Sequence, residues 1–312
     1  MIIKTDSIFK FRGFDIFVRN KKTAYSKTKI LYCMGSTYHT DAYFDMPING
    51  FSAMDHLARS GFDVYCYDML GLGQSARPKE EDPEVAGFGT LDGVELIEQI
   101  YDYISQDGIE PHVIGYSWGT IGTMVLASRR KIPSLTLLGA RYPTESSLAR
   151  KLSEEQIASI YPYSTLPGFY RVADCNEIEN EWLGSYSQEQ RDKIINSKVV
   201  DEFFKQMLKT EVNDDIRNSG KFKTPIFPKN DIKNFIFGKL KFVDAKDIKC
   251  PCQVICAPDE MKQSQEIYSK LVTDKDYTLI PNSTHWGLIE NNRSMMLNKI
   301  TNFIKTIKHD NT

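Results

Sequence analysis

Several features that would place this chain in a specialised class of protein are missing from its sequence. No apolar stretch among the 312 residues approaches the roughly 20 residues that a membrane-spanning helix needs. The first residues, MIIKTDSIFKFRGF, carry charges and contain no apolar leader run, so we expect no signal peptide. The net charge of −2 gives no electrostatic reason to expect a nucleic-acid partner. We therefore expect a cytoplasmic protein that does not bind nucleic acid.

Cysteine and histidine, which bind most transition metals in proteins, are both scarce, with six and five residues. All the cysteines except Cys175 lie in apolar, strand-like segments, where cysteine behaves as a small hydrophobic residue. Cys250 and Cys252 alternate along one such segment, without the C-x-x-C spacing or histidine partners of a metal or redox site. We expect buried thiols, no metal and no cofactor.

The chain is rich in apolar residues arranged as alternating strands and helices, and its length suits one large α/β domain. Hydrophobic residues make up 41% of it, enough for a substantial core. A hairpin over 8–21 precedes four predicted buried strands, which are 29–35, 62–69, 112–116 and 134–140. The helices predicted between them are 51–60, 91–106 (capped by Thr90) and 118–130. This alternation predicts a parallel sheet with helices on both faces.

The alternation is interrupted between about residues 142 and 241, where we find no buried strand. Helical patterns occur there at 153–160, 187–196 and 199–210, with many aromatic side chains that can form a core. Strands at 252–257 and 276–281 and helices at 263–272 and 289–308 then restore the pattern. We predict a core of residues 1–141 and 242–312, interrupted by a helical cap over 142–241.

A G-x-S-x-G sequence, Gly115–Gly119, follows directly from the predicted strand at 112–116. In such a strand-to-helix turn the serine, here Ser117, is exposed at a sharp corner, and the glycines leave space around it. The helix that follows offers free N–H groups and its positive dipole end to a developing oxyanion. The pattern is common by chance, so a nucleophilic role requires a base and an acid at the same sheet edge.

His285 is the best candidate for the base, because its loop follows the last predicted strand and emerges at the edge that carries Ser117. A single histidine in a loop is more often an exposed residue without a catalytic role, but this position beside a G-x-S-x-G turn favours the catalytic interpretation. His56 lies within a predicted helix, His112 at the opposite strand end, and His309 in the tail.

Two carboxylates, Asp259 and Glu260, follow the strand at 252–257 and are the candidate acids. An acid would fix the tautomer of His285 and stabilise its cation. Either carboxylate could instead be solvated, or be a favourable charge at the first turn of the next helix. The order serine, acid, histidine is the chain order of the α/β-hydrolase arrangement.

Over about residues 8–308 the sequence resembles the α/β-hydrolase fold family. The resemblance rests on Gly115–Gly119, the D-x-x-G-x-G-x-S turn at 68–75, Met-Gly at 34–35 and Ser-Thr-His at 283–285. It implies an eight-stranded, mostly parallel sheet with an inserted helical cap. It also implies an oxyanion hole made of the backbone N–H of Trp118 and that of Ser36, with Thr37 as an alternative.

Further segments, GSTY at 35–38, FDMP at 44–47 and E-x-x-R at 290–293, are similar to a subgroup of bacterial hydrolase-like proteins. Two positions depart from the family pattern. The first loop usually begins His-Gly, and here it begins Met-Gly. The acid is usually aspartate, three residues past a strand-end glycine; here Ala257 takes the place of that glycine and Glu260 that of the acid. We prefer Glu260 to Asp259, with Glu145 as a third alternative.

These features predict a serine hydrolase of a small-molecule ester or thioester, or of a carbon–carbon bond. A serine nucleophile argues against dehalogenases and epoxide hydrolases, to which the resemblance assigns an aspartate. The aromatic cap suggests an apolar or aromatic substrate, although such residues often form only the cap's own core. A catalytically silent binding protein and an acyltransferase are the alternatives. The sequence does not predict an oligomeric state.

Overall fold

The computed structural model of the protein describes residues 1–140, 155, 168–226 and 243–307. The strands in these ranges are β1 Ile3–Phe11, β2 Phe14–Lys22, β3 Thr28–Cys33, β4 Phe62–Tyr67, β5 His112–Tyr116, β6 Leu135–Leu138, β7 Tyr170–Asp174, β8 Lys221–Pro225, β9 Cys252–Cys256 and β10 Lys275–Leu279. The helices are α1 Ala53–Arg59, α2 Thr90–Ile104, α3 Gly119–Arg129, α4 Cys175–Leu183, α5 Gln188–Ile194, α6 Ser197–Lys209, α7 Asp214–Asn218, α8 Met261–Lys270 and α9 Arg293–Thr306. No helix among the described residues combines the length and the apolar character that crossing a membrane requires.

The main sheet has eight strands in the order β1-β2-β4-β3-β5-β6-β9-β10. The pairs β1–β2 and β2–β4 are antiparallel, and all other neighbouring strands are parallel. The predicted eight-stranded, mostly parallel sheet is therefore confirmed. Because the parallel strands point the same way, the loops after β3, β5, β6, β9 and β10 leave the sheet at one edge.

Both faces of the sheet are covered, which explains why its central strands are mostly apolar on both sides. On one face, Ile30 and Tyr32 of β3 belong to a core formed with α1, α9 and the helices between residues 175 and 209. On the other face, Leu31 and Cys33 belong to a core formed with α2, α3 and α8. Alternate side chains along one strand thus enter opposite layers.

The start of α2 differs by one residue from the prediction. Gly89, and not Thr90, is the N-cap, and Thr90 is the first helical residue. The Asp92 carboxylate accepts a hydrogen bond from the Gly89 N–H at 2.7 Å, which satisfies a donor that precedes the helix. The Asp92 side chain, in the first turn of α2, therefore stabilises the start of this helix.

The described part of the 142–241 segment contains strands as well as helices, whereas the sequence pattern indicated helices and no buried strand. Strands β7 and β8 pair antiparallel in a separate sheet. Their sequences, YRVAD and KFKTP, are largely polar and lack the apolar run by which the other strands were predicted. The helices predicted at 187–196 and 199–210 correspond to α5 and α6, and α4 was not predicted. Of the predicted helix at 153–160 the structure describes only Glu155, which is helical, and both predicted cap boundaries fall outside the described residues.

A buried carboxylate, Asp68, holds the loops beside the end of β4. It is fully buried and accepts hydrogen bonds from the Thr40 N–H at 2.7 Å, the Thr40 hydroxyl at 2.6 Å and the Gln74 N–H at 2.9 Å. The Ser75 hydroxyl donates to the backbone oxygen of Asp68 at 2.6 Å. These bonds join the loop after β3 to the turn after β4, so Asp68 has a structural role at this edge of the sheet.

Candidate active site

Ser117 stands at the corner between β5 and α3 with a backbone φ of +53°. This is the left-handed region, which is unfavourable for a residue with a side chain and persists only where the surroundings enforce it. Its N–H donates to the Leu138 backbone oxygen of the neighbouring strand β6 at 3.0 Å. The corner therefore fixes Ser117 to the sheet and presents its hydroxyl at the edge where the strand-end loops meet.

The loop after β10 brings His285 to this hydroxyl. His285 Nε2 lies 2.8 Å from Ser117 Oγ, and His285 Nδ1 is hydrogen-bonded to Glu260 Oε1. A proton on Nδ1 satisfies both contacts, because Nδ1 then donates to the carboxylate and Nε2 accepts from the hydroxyl. Of the histidines in the described ranges, His285 is the one hydrogen-bonded to Ser117.

Tyr116 holds the His285 imidazole in place through a hydrogen bond and a ring contact. Its hydroxyl donates to the backbone oxygen of His285 at 2.9 Å, and its ring stacks on the imidazole with 5.0 Å between ring centres and 28° between planes. Burial raises the pKa of the Tyr116 hydroxyl well above its usual range, so this group remains a donor. The residue next to the serine thus also orients the histidine.

Of the two candidate acids, the structure places Glu260 against His285 and leaves Asp259 exposed. Ala257 caps a short 3-10 turn, Pro258–Glu260, and the second oxygen of Glu260 accepts the Ala257 N–H at 3.0 Å. This bond folds the Glu260 side chain back over the end of β9 and buries it. The third alternative, Glu145, lies outside the described residues.

Gly139, at the end of β6, is a site residue that the sequence reasoning missed. Its φ is +54°, and a Cβ added there would lie 2.6 Å from Glu260 Oε1 and 2.9 Å from His285 Nδ1. Only glycine gives the acid and the histidine room to meet in this backbone conformation. The signal in the sequence was a glycine near the end of the fourth predicted strand, 134–140.

The two residues predicted to supply the oxyanion hole come from different segments: Trp118 follows Ser117 in the chain, and Ser36 lies in the loop after β3. Trp118 precedes the first residue of α3, so its N–H has no partner within the helix. Ser36 is buried and follows Gly35, where a Cβ would lie 3.1 Å from Ser117 Cβ. The chain at Gly35 therefore passes close over the serine. Met34, in the position where the family usually has histidine, is buried, and its sulfur lies 3.8 Å from the Thr40 hydroxyl, whose proton is donated to Asp68.

Aromatic side chains connect the 175–209 helices to the loops of the site. Trp182 of α4 stacks on Trp286, with ring centres 4.8 Å apart and 27° between planes. The ring of Tyr38, in the loop after β3, contacts the rings of Phe203 of α6 and Trp286. The ring centres are 4.9 Å and 5.9 Å apart, respectively. All four side chains are buried, so they pack the 175–209 helices against the loops after β3 and β10. Tyr161, Tyr163 and Phe227 lie outside the described residues.

Two surface cavities, of about 300 and 250 Å³, lie away from this constellation. The first is beside Arg19, Lys21 and Asp45, and the second is beside Arg77 and Lys223. Within the described ranges, no group of three or more histidine, cysteine, aspartate or glutamate side chains is arranged to hold a metal ion.

The sequence matches the alpha/beta hydrolase fold family across residues 41–292, and the chain belongs to this family. A proline iminopeptidase of Clostridium botulinum is 26% identical over 261 residues, which cover 79% of each chain. A second proline iminopeptidase, of Flavobacterium johnsoniae, is 25% identical over 309 residues and covers 91% of this chain and 92% of that protein.

Solved structures share the fold at lower sequence identity. Epoxide hydrolase I of potato, Solanum tuberosum, has a TM-score of 0.62 and 13% identity, and the match covers 97% of this chain and 100% of that chain. At this identity the likeness shows the fold alone. The family and the two sequence relatives together support a hydrolase.

We expect Gly139→Ala to push Glu260 and His285 apart, because the new methyl group would overlap their contact. The unfavourable φ and the overpacking together should lower the free energy of unfolding by about 2–5 kcal/mol. Gly108→Ala is the matched control, since Gly108 has φ +83° and nothing within 4 Å of an added Cβ. The free energy of unfolding of Gly108→Ala should be only about 1–2 kcal/mol below that of the parent. Urea unfolding and the NMR signals of the His285 ring measure both effects, and an unchanged His285 spectrum in Gly139→Ala contradicts the prediction.

Proposed function

We propose that the protein is a serine hydrolase that cleaves an acyl bond of a small substrate through a covalent intermediate on Ser117. The observation that carries this proposal is the continuous hydrogen-bonded chain from Ser117 Oγ through His285 to Glu260. A hydroxyl is a weak nucleophile unless a base removes its proton, and a base works best when a third group orients it. The three side chains satisfy these two requirements in order.

In the proposed mechanism, His285 Nε2 takes the proton of Ser117 as Oγ attacks the acyl carbon. The negative charge that develops on the acyl oxygen is held by the backbone N–H groups of Ser36 and Trp118. Glu260 stabilises the imidazolium, which then donates its proton to the leaving group. Water attacks the acyl-enzyme with His285 again as base, and this step releases the acid and restores the serine.

An ester or thioester is the substrate class that we propose first. Both have leaving groups that depart readily once the tetrahedral intermediate forms, and both fit a serine nucleophile with a histidine base. The serine at the corner also separates this chain from the members of the family that form an intermediate on aspartate.

The second candidate is release of an N-terminal residue, proline in particular, from a short peptide. It is favoured by the two relatives that carry the name proline iminopeptidase and align with most of the chain. The same acyl-enzyme serves this reaction, and His285 would then protonate a departing amine.

A fluorophosphonate probe tests the nucleophile directly, because it reacts with an activated serine in a folded site. We expect stoichiometric labelling at Ser117 and none in Ser117→Ala. Ser269→Ala, which removes an exposed serine hydroxyl on α8, is the control and should label like the parent. Mass spectrometry of the labelled peptide reads the result. If the folded parent protein remains unlabelled, the chain is a binding protein and the proposal fails.

Exchange of the acid for its amide tests Glu260 against its neighbour. Glu260→Gln should reduce ester turnover by about 10³- to 10⁴-fold, because an amide neither favours the required tautomer nor stabilises the imidazolium. Asp259→Asn is the matched control, and its exposed position predicts turnover close to that of the parent. Steady-state kinetics on a nitrophenyl ester measures both variants, and the reverse order of effects would assign the acid to Asp259.

The substrate class is tested by comparing nitrophenyl esters, acyl thioesters and prolyl nitroanilide on the same preparation. We expect the larger kcat/KM on the esters or thioesters, with activity lost in Ser117→Ala. A larger kcat/KM on the prolyl anilide, lost in the same variant, would select the peptidase. Addition of competing alcohols or amines separates hydrolysis from acyl transfer, because a transferase converts them to new esters or amides.

A further inference from the structure

A second buried carboxylate, Glu290, lies close to His285 and has no part in the mechanism above. It directly follows the 3-10 turn Gly287–Ile289 that continues the His285 loop, and it precedes α9. Its side chain is fully buried. A buried carboxylate without partners would be very unfavourable, so its contacts are informative.

Four donors surround this carboxylate. One oxygen, Oε2, accepts from the Ser283 hydroxyl and from the Thr284 N–H at 2.9 Å. The other, Oε1, accepts from the Thr284 hydroxyl and from the Trp182 indole N–H at 3.2 Å. Burial raises the pKa of the Glu290 carboxyl, whereas all four donors favour its ionised form.

The arrangement specifically requires two acceptor oxygens. The Ser283 and Thr284 hydroxyls can rotate, but the Thr284 N–H and the Trp182 N–H cannot turn away, and they point at different oxygens of Glu290. A glutamine offers one acceptor oxygen, so its NH₂ group would meet one of these two donors. The amide would leave a buried donor unsatisfied, at a cost that water does not offset.

The partners of Glu290 belong to the two segments that adjoin the base. Ser283 and Thr284 directly precede His285, and the Thr284 hydroxyl also accepts the Trp286 N–H at 3.3 Å. Trp182 comes from α4 in the cap segment, and its ring stacks on Trp286. The carboxylate thus joins the backbone on both sides of His285 to a helix of the cap.

We propose that Glu290 is a positioning residue that ties the cap helix α4 to the His285 loop and thereby sets the distance from His285 Nε2 to Ser117 Oγ. This inference rests on the proposed function, in which His285 is the base. The position of α4 against the His285 loop then contributes to the rate of the chemical step, in addition to the part that α4 has in enclosing the site.

The test is Glu290→Gln in the full-length protein. We expect kcat on a nitrophenyl ester to fall roughly 100-fold, the effect of a displacement of about 1 Å in a reacting group, with KM changed less than about threefold. The rate of fluorophosphonate labelling at Ser117 should fall in parallel. The NMR signal of the proton on His285 Nδ1, recorded without substrate, should shift or broaden because the ring is held less firmly.

Asp63→Asn is the matched control for loss of stability. Asp63 is a buried carboxylate near the amino end of β4, accepts from the Asn20 side chain, and lies at the opposite end of the strands from Ser117. We expect it to lower the unfolding temperature while kcat and the His285 signal stay at parent values.

Trp182→Phe tests the link to the cap, since it removes one donor and keeps an aromatic ring over Trp286. Its loss of kcat should be smaller, about 10-fold or less, because three donors remain. The double variant should be no more than about threefold worse than Glu290→Gln, because both changes break the same bond. Losses that multiply would show that Trp182 acts on another group.

The inference is overturned if folded Glu290→Gln keeps kcat within about threefold of the parent, or if Asp63→Asn loses as much kcat at a similar unfolding temperature. Failure of the proposed function has a different signature, in which Ser117→Ala retains turnover and the probe does not label the parent. In that case the NMR signal of the proton on His285 Nδ1, recorded for the Glu290 variants without probe or substrate, still decides whether Glu290 positions the loop.

Discussion

The left-handed backbone of Ser117 is the constraint on which the rest of this site depends. It turns the chain from β5 into α3 within two residues, Ser117 and Trp118, and directs the hydroxyl out of the sheet edge. Every partner then comes from the loop after another parallel strand of the same sheet: Gly35 follows β3, Glu260 follows β9 and His285 follows β10. The proposed chemistry therefore depends on the parallel sheet, since an antiparallel strand would place its following loop at the far edge.

Most of the sheet and the core of the site could be predicted from sequence because they leave local signals. Strands covered on both faces are mostly apolar, and a corner that needs close approach is marked by glycines. Ser117 and His285 were found from such signals, and the structure brings them within hydrogen-bonding distance. Strands β7 and β8 left no such signal, because the small sheet that they form is largely polar. The positions of Gly139 and Glu290 carry local patterns, but their contacts with Glu260, His285 and Trp182 join segments far apart in the chain, which those patterns do not reveal.

The choice between two adjacent carboxylates illustrates a different limit. Asp259 and Glu260 differ in sequence by one position and one methylene, and both follow the correct strand. A single 3-10 turn, closed by the bond between the Ala257 N–H and Glu260, buries one and exposes the other. Such a turn depends on how the following helix packs on the sheet, so sequence alone offered a preference for Glu260 and the geometry supplies its physical reason.

Ser117 and His285 are 168 positions apart in the chain. A protein made from its N-terminus exposes the serine corner long before β9, β10 and the histidine loop have been synthesised. Closing so long a connection is slow compared with forming local contacts, so the constellation assembles only when the last strands join the sheet. In the proposed mechanism a nascent or truncated chain therefore carries Ser117 without its base, and we expect the hydroxyl to stay unreactive until the last strands have joined the sheet.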